Sequence, residues 1–534
     1  MASNDKDSIK GGSGLGRSAV RLLYPLYLGQ FLGVLVTLAT FVVTTRLLGP
    51  AAYGLYVLAF GFANLFGSIG TFGTGTYMNR NIAKAVYENK AEKLSDAIVP
   101  AYLILVPVAI ALTIVAIAIS NYVAVYFLAA HSISGLTLML AAATIFFSMV
   151  ENSSVQGLVG FTKTKLASVT SLSVDIIQLA SIVFLVYSGY GVNGAIAGML
   201  VGYVFGFLIS VYFIFSSAMG YKGFSIRKPS LRTMKAALGY SAPLALNNIS
   251  LRGLENASII FMGLVGISNA LIGNYGAAIK GLNLIYVGYG TMGIALLNIF
   301  TGAGTLSKKK DSNRLYNRIL RYSLILTMPT AIYVGVFSKA GIALLASTKY
   351  AYAPLYLSLI AVGIMINMVG YYISSLILSG GYAKNLVKYN LVSTALEFIL
   401  MLILVPYFGV IGNILALYLI GSVAYDIVFI ISAKKLFGIK LEYTKIAAIF
   451  LANAVLAAFL APLAFANYVL IELAGGLVIL LLAYPPILVA LKIVNDEDLA
   501  TIRNSTKGMP ILNSIIGAVD AYTSFFLRQV HGTK

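Results

Sequence analysis

Long apolar stretches separated by short polar ones run through the whole chain, and their lengths leave few folds open. An α-helix needs about 20 apolar residues to cross a hydrocarbon core of about 30 Å. Stretches of that kind lie near 22–47, 54–78, 97–119, 136–158, 166–188, 192–216, 241–265, 271–300, 320–338, 353–379, 386–406, 410–432, 444–466 and 469–491. In lipid each backbone N–H and C=O must be satisfied inside the protein, which favours helices for stretches of this length. The expected fold is therefore all-α: a polytopic membrane protein with about fourteen transmembrane helices. Composition agrees, because 10% charged residues are too few to cover a water-soluble surface, against 59% hydrophobic. Fifty-one glycines suit helices that approach one another closely.

Basic residues orient the spans. All but Arg46, Arg252, Lys280, Lys339 and Lys349 of the 37 lysines and arginines fall on the N-terminal side of this alternation or in the tails. Positive loops stay in the cytoplasm, so both termini are expected there and the membrane is expected to be the cell's plasma membrane. The net charge of +20 is then a topology signal, and a nucleic-acid partner is not expected. Residues 1–21 are polar and the first apolar run is too long for a signal peptide, so the first helix is read as retained. With no cysteine and only His131 and His531, a thiolate or multi-histidine metal site is excluded, and no cofactor is expected. Four N-x-S/T matches, at Asn152, Asn248, Asn256 and Asn504, fall in spans or the inner tail and should stay unglycosylated.

Two stretches look like copies. One runs from Gly160-Phe161 to Tyr190-Gly191-Val192-Asn193-Gly194, the other from Gly381-Tyr382 to Phe408-Gly409-Val410-Ile411-Gly412. Lys163 and Lys384 follow their Gly-aromatic pairs at the same offset. A parallel repeat predicts two lobes, a pseudo-two-fold axis along the membrane normal and a cleft between them. The expected organisation is an N-terminal tail (1–21), an N-lobe of six spans (22–216), a linker (217–240) and a C-lobe of six spans (241–432). Two extra spans (433–492) and a cytoplasmic tail (493–534) follow. In the tail, Ile511, Ile515, Val519, Tyr522 and Phe526 recur at helical spacing after Pro510. This reads as an amphipathic helix, either on the inner membrane surface or packed against the cytoplasmic loops.

Seven ionisable residues fall well inside spans: Glu151, Asp175, Arg252, Glu255, Lys280, Glu397 and Asp426. Each costs roughly 2.5–3.5 kcal/mol at a span centre, so such groups face a bundle interior or a wet cavity. Arg252 and Glu255 stand three apart, which reads either as a self-neutralising ion pair or as an anion-binding arginine held by its neighbour. Lys280 lies roughly 15 Å into its span with no acid within a turn of it. Asp175 and Glu397 follow their repeat glycines by 15 and 16 residues, which reads as a quasi-symmetric carboxylate pair for protons or sodium, or as neutral hydrogen-bonded carboxyls. Glu151 and Asp426 lie nearer the inner side, within reach of cytoplasmic water. Arg46 and Arg80 sit at span ends, where arginines commonly snorkel to phosphate headgroups. The glycines at 61, 67, 70, 73 and 75 mark close packing or a bendable second span.

The stretch Thr45-Arg46-Leu47-Leu48-Gly49-Pro50-Ala51-Ala52-Tyr53-Gly54-Leu55-Tyr56 resembles the corner between spans 1 and 2 of polysaccharide and lipid-linked oligosaccharide flippases. Those belong to the multidrug/oligosaccharidyl-lipid/polysaccharide exporter superfamily. Tyr77-Met78-Asn79-Arg80, Tyr240-Ser241-Ala242-Pro243-Leu244, Gly273-Asn274-Tyr275-Gly276-Ala277-Ala278 and Asp496-Glu497-Asp498-Leu499 are similar to that family at the corresponding places. The resemblance implies two six-helix lobes around a cavity and transport by alternating access. A polar headgroup would cross in the cleft while its lipid tail stays in the bilayer. It also implies that Arg46, Arg80, Arg252 and Lys280 face substrate phosphates. The excess of intramembrane acids departs from a purely cationic cavity and leaves room for coupling to H+ or Na+.

The reading that follows is a flippase for a polyprenyl- or dolichol-(di)phosphate-linked saccharide, not an enzyme. Its partners would be that lipid, the membrane and glycosyltransferases or a polymerase of the same pathway. A cation-coupled drug or metabolite antiporter of the same superfamily is the alternative, with Glu151, Asp175, Glu255, Glu397 and Asp426 as ion-coupling candidates. A membrane-embedded sugar polymerase or ligase would need acid/base residues in its outer loops, and these offer little beyond His131, Lys339, Lys349 and Glu472.

Overall fold

The computed structural model describes residues 12–70, 73–128, 132–283, 285–286, 309–494, 522–524 and 526. The second half of the predicted eighth span, His131, His531, the stretch 496–499 and tail positions Ile511, Ile515 and Val519 lie outside these. The described residues are helical, without a strand. The helices are α1 Gly12–Gly70, α2 Thr74–Tyr87, α3 Glu92–Tyr122, α4 Gly135–Gly160, α5 Thr164–Leu185, α6 Gly191–Met219, α7 Leu231–Asn248, α8 Leu254–Leu264 and α9 Asn269–Gly281. They continue with α10 Lys309–Val336, α11 Ser338–Leu345, α12 Ala353–Ser379, α13 Ala383–Ile414, α14 Ile420–Phe437, α15 Tyr443–Leu460 and α16 Val469–Ala490. Among the described residues, nine helical stretches are long and apolar enough to cross a membrane.

The three longest of those stretches are too long for one crossing, and each contains a positive-φ glycine. In Leu32–Gly70 it is Gly49 (φ 72°, ψ 172°), a conformation essentially closed to residues with a Cβ. Pro50 follows at the first position of the next helical arm, where its fixed φ suits and no amide is missed. The Phe41 and Tyr53 rings lie 6.3 Å apart across this corner, far closer than twelve residues of straight helix allow. The Leu-Gly-Pro stretch is thus a one-glycine turn between two helical arms. Gly191 (φ 51°, ψ −127°) and Gly409 (φ 58°, ψ −132°) make a second kind of turn, once in each half of the chain.

Beyond Gly191 the chain doubles back on itself. A Cβ on Gly194, Gly198 or Gly202 would strike Leu185, Ile182 or Gln178 respectively, the descending order of an antiparallel hairpin. Gly412 and Gly421 meet Leu404 and Glu397 in the same way. By these contacts Glu397 stands where Gln178 stands, packed on the glycine of the returning helix. Asp175 lies one turn earlier, so local packing matches Glu397 to Gln178 and not to Asp175.

Backbone proximity divides the chain into two compact units, Met1–Gly276 and Ala277–Lys534. In the first, the second arm of α1 and then α2 run antiparallel to α7–α9. Gly54 meets the Asn269 carbonyl, Gly61 meets Ile259, and Gly73 meets Leu244. Gly273 in turn presses on the Pro50 carbonyl and Gly276 on Val57. The corner stretch and the Gly-Asn-Tyr-Gly stretch therefore touch backbone to backbone, which requires their glycines. The predicted span 54–78 is not continuous: Gly73 is left-handed (φ 59°), and helix resumes at Thr74 and runs to Tyr87. Glu88 then ties together the exposed Lys84, Lys90 and Lys93 at 3.9, 3.3 and 2.9 Å. Lys93 first and then Lys90 hold its carboxylate below the usual range by their hydrogen bonds.

In the second unit, α10 anchors α15 and α16. Tyr333 donates to the Leu473 carbonyl (2.6 Å), and Asn453 of α15 donates to the Tyr484 hydroxyl of α16 (3.4 Å). Asn317 donates to the Lys440 carbonyl (2.9 Å) and accepts from the Glu442 amide (3.1 Å), pinning the link before α15. Asp426 accepts from the Gly370 amide of α12 (2.8 Å).

Proline removes an amide donor from a helix and orphans the carbonyl four residues earlier. Two tyrosines repair such losses. Pro100 orphans the Asp96 carbonyl, and the Tyr77 hydroxyl donates to it (3.2 Å). Pro486 orphans the Leu482 carbonyl, and the Tyr522 hydroxyl donates to that (3.0 Å). Tyr522 also packs edge-on against Phe526, with ring centroids 5.1 Å apart. Leu482 lies eight residues, or about 12 Å, from the end of α16 at Ala490. At Tyr522 the tail is thus seated on the last apolar helix itself, a third placement beside the two that the spacing suggested.

Two outcomes test this architecture. Tyr522→Phe should lower unfolding stability in detergent by about 1–3 kcal/mol, the cost of an orphaned carbonyl. In a Pro486→Ala background, where an amide returns, the same change should cost little, giving a coupling of about 1 kcal/mol in the cycle. Equal costs in both backgrounds would refute the repair. Separately, Gly409→Ala should cost about 1–3 kcal/mol by chemical unfolding, because its φ is closed to alanine. A neutral substitution would show that the turn relaxes.

Candidate functional site

The first unit carries an exposed polar face where the polar helix α2 meets the apolar helix α4. It starts at Gly75, where a Cβ would stand 2.8 Å from the Gln156 amide of α4, so α2 and α4 meet there without a spacer. Thr76 donates to Gln156 Oε1 (3.4 Å), and Gln156 Nε2 donates to Asn152 Oδ1 (2.8 Å). Thr76 and Asn152 are exposed and Gln156 partly so. Arg80 follows Thr76 by four residues on the same face of α2 and is also exposed. Its guanidinium lies over the Tyr240 ring, 5.0 Å from the centroid, and Tyr240 packs against Tyr77 at 6.1 Å. A cation–π contact of this kind uses no N–H hydrogen bond, so it leaves the guanidinium donors for an anion. Tyr77-Met78-Asn79-Arg80 and Tyr240-Ser241-Ala242-Pro243-Leu244, separate in sequence, are thus one contact.

The other cationic candidates are also exposed. Arg46 stands three residues before the Gly49 turn. Arg252 lies in a π-helical turn, Ile249–Gly253, whose wider winding ends between it and the half-buried Glu255. Their three-residue spacing therefore does not by itself put the two on one face. Asn256 donates its side-chain amide to the Arg252 carbonyl (2.8 Å), satisfying backbone at this irregularity. In the second unit Lys280 is exposed in the last turn of α9, where unsatisfied carbonyls favour a cation. The i−3 hydrogen bond from Leu282 to Ile279 (3.2 Å) tightens the chain there.

The carboxylates are placed differently. Glu151 is 9% exposed and packs where Gly206 leaves space, within electrostatic reach of Asp175. Asp175 in turn lies against Gly33 of α1. Asp426 is also 9% exposed, and Glu397 is half-buried against Gly421. The expectation that Glu151 and Asp426 reach cytoplasmic water is corrected: both are enclosed by helices that glycines allow to close over them. The second-span glycines divide by role. Gly61, Gly70 and Gly75 give room to Ile259, Met149 and Gln156, Gly73 makes a break, and Gly67 has open space beside it. Among the described residues no cluster of three or more His, Cys, Asp or Glu is arranged to hold a metal ion.

Residues Thr76, Asn152, Gln156 and Tyr240 escaped the reading of the sequence as site residues. Charge inside a span is conspicuous in sequence, whereas a neutral amide or hydroxyl is not. The available signal was the four-residue spacing of Asn152 and Gln156 beside the acid Glu151.

A helical bundle whose long apolar helices carry polar and ionisable side chains has the architecture of a polytopic membrane protein. Solved structures agree on the fold. The lipid II flippase MurJ in an inward closed conformation is similar with a TM-score of 0.68 at 16% identity, covering 88% of this chain and 99% of that one. An inward-facing multidrug resistance MATE family transporter of the MOP superfamily is similar at 0.60 and 15% identity, covering 75% and 92%. A MOP superfamily transporter from Pyrococcus furiosus gives 0.55 and 18% identity, covering 78% and 96%. No curated protein matches the sequence. Residues 24–301 match the family described as polysaccharide biosynthesis protein, and the chain belongs to that family.

Proposed function

We propose that this protein is a flippase that moves a polyprenyl- or dolichol-(di)phosphate-linked saccharide from the cytoplasmic to the outer leaflet by alternating access. It would serve cell-surface polysaccharide or glycoprotein assembly in the plasma membrane, with both termini cytoplasmic. Glycosyltransferases or a polymerase of the same pathway would be its partners. The observation that carries the reading is the set of exposed cations Arg46, Arg80, Arg252 and Lys280 in a chain of the polysaccharide biosynthesis family. Phosphates cannot leave water without cationic partners, and arginine offers them paired donors. Arg80 fits best, because Tyr240 holds its guanidinium by a cation–π contact while the side chain stays exposed. The two-lobe arrangement with a pseudo-two-fold axis belongs to this reading; the recurring turns at Gly191 and Gly409 support it. The fold of the lipid II flippase MurJ is consistent with it.

A second reading is a cation-coupled antiporter. The carboxylates in helix contacts favour it: buried Glu151 with half-buried Asp175 in the first unit, half-buried Glu397 and buried Asp426 in the second. Glu255, half-buried beside the π-helical turn, remains a weaker candidate. The two readings combine if cation binding drives the flipping. A membrane-embedded sugar polymerase or ligase is the third reading, and it would need a bond-forming acid/base set of its own.

The test is translocation of a fluorescent lipid-linked saccharide in proteoliposomes. Arg80→Gln, Arg252→Gln and Lys280→Gln should each slow it by about tenfold or more, the cost of one lost charge-assisted contact, while the protein stays folded. Full activity in all three would remove these cations from the mechanism. Dye efflux driven by a proton or sodium gradient, without lipid translocation, would favour the antiporter.

A further inference from the structure

We infer that Thr76, Gln156 and Asn152 form a saccharide-binding subsite beside the Arg80 phosphate position, an inference that rests on the flippase reading above. The three side chains form a chain of hydrogen bonds, Thr76 to Gln156 (3.4 Å) and Gln156 to Asn152 (2.8 Å). This chain uses up only part of their capacity. The Asn152 amide keeps two N–H donors, Gln156 keeps one, and the oxygens of Asn152 and Thr76 keep free lone pairs. The exposed remainder is a mixed row of donors and acceptors with no net charge. A polyol or acetamido sugar presents the complementary mixture, since each hydroxyl both donates and accepts.

Position supports the assignment. α4 is an apolar helix that satisfies the length and hydropathy of a membrane span, and Asn152 lies eight residues, about 12 Å, from its end at Gly160. An exposed amide facing hydrocarbon at that depth would be penalised by several kcal/mol. The face therefore borders water or a polar ligand. Arg80 is one turn from Thr76, about 6 Å along α2, which suits a sugar attached directly to a phosphate. Gly75 keeps the amides tied to that helix, because any side chain there would push Gln156 away. A cation would need carboxylates on this face, and the nearby Glu151 is instead turned into the helix packing against Gly206.

Binding of two fluorescent probes to the purified full-length protein tests this. One is a polyprenyl diphosphate bearing a single N-acetylhexosamine, the other the same lipid without the sugar. Wild type should bind the sugar-bearing probe about tenfold more tightly, as one or two neutral hydrogen bonds allow. Asn152→Ala and Gln156→Ala should bring that ratio close to one and leave the sugar-free affinity unchanged. Thr76→Val, nearly isosteric, should reduce it part of the way and controls for disturbed packing. Arg80→Gln should weaken both probes and preserve the ratio. A wild-type ratio near one, an unchanged ratio in the amide variants, or parallel loss of both probes would overturn the subsite. Binding of neither probe by wild type would overturn the flippase reading together with the inference.

Discussion

Hydrocarbon offers no hydrogen bonds, so each peptide group in the apolar part of this chain has to find its partner within the protein. Helix satisfies most of them. The informative places are those where helix fails, because there the protein has to supply something else. Pro100 and Pro486 each strip a donor from a helix, and a tyrosine hydroxyl from a different segment takes its place. At the π-helical turn around Arg252 an asparagine side chain covers the carbonyl. At Gly49 and Gly409 a single glycine absorbs the break between two helical arms, and at 189–191 two glycines share it. These repairs tie distant segments together: Tyr77 links α2 to α3, and Tyr522 seats the tail on α16.

The same constraint separates two sorts of polar residue. Glu151, Asp175, Glu397 and Asp426 are drawn into helix contacts, made possible by glycines such as Gly206 and Gly421 that let a carboxyl side chain fit against the backbone. Thr76, Arg80, Asn152 and Gln156 are left outside, on a face that lipid would not tolerate. Arg80 connects this face to the fold, because its partner Tyr240 is also the partner of Tyr77. The arginine that would meet a phosphate is therefore held by the contact that closes α2 against α7.

Much of this was legible from the residues. The apolar lengths and the one-sided lysines and arginines led to an all-helical membrane protein, and the Leu48-Gly49-Pro50 corner already pointed to a flippase-like fold. The buried charges were conspicuous because each is costly. Local geometry was less legible. The break at Gly73 leaves no mark in hydropathy, since glycine is apolar enough to be read through. Matching Glu397 with Asp175 followed counting from glycines whose turns differ in length, whereas packing pairs it with Gln178. Asn152 drew notice only as a sequon that should stay unmodified. Whether a neutral side chain looks into water or into protein depends on the neighbouring helix, and only the fold supplies that.

The central claim is that the Thr76–Arg80–Asn152–Gln156 face borders water inside the membrane. The chain has no cysteine, so single cysteines can be placed without a background. The direct measurement is the reaction of Thr76→Cys and Asn152→Cys with a charged, membrane-impermeant thiol reagent in intact proteoliposomes, beside a control at Ile176, an exposed isoleucine on the apolar helix α5. The account predicts rapid modification at positions 76 and 152, slowed by a lipid-linked saccharide, and little at 176. Modification at 76 and 152 as slow as at 176, becoming rapid only after detergent is added, would contradict it.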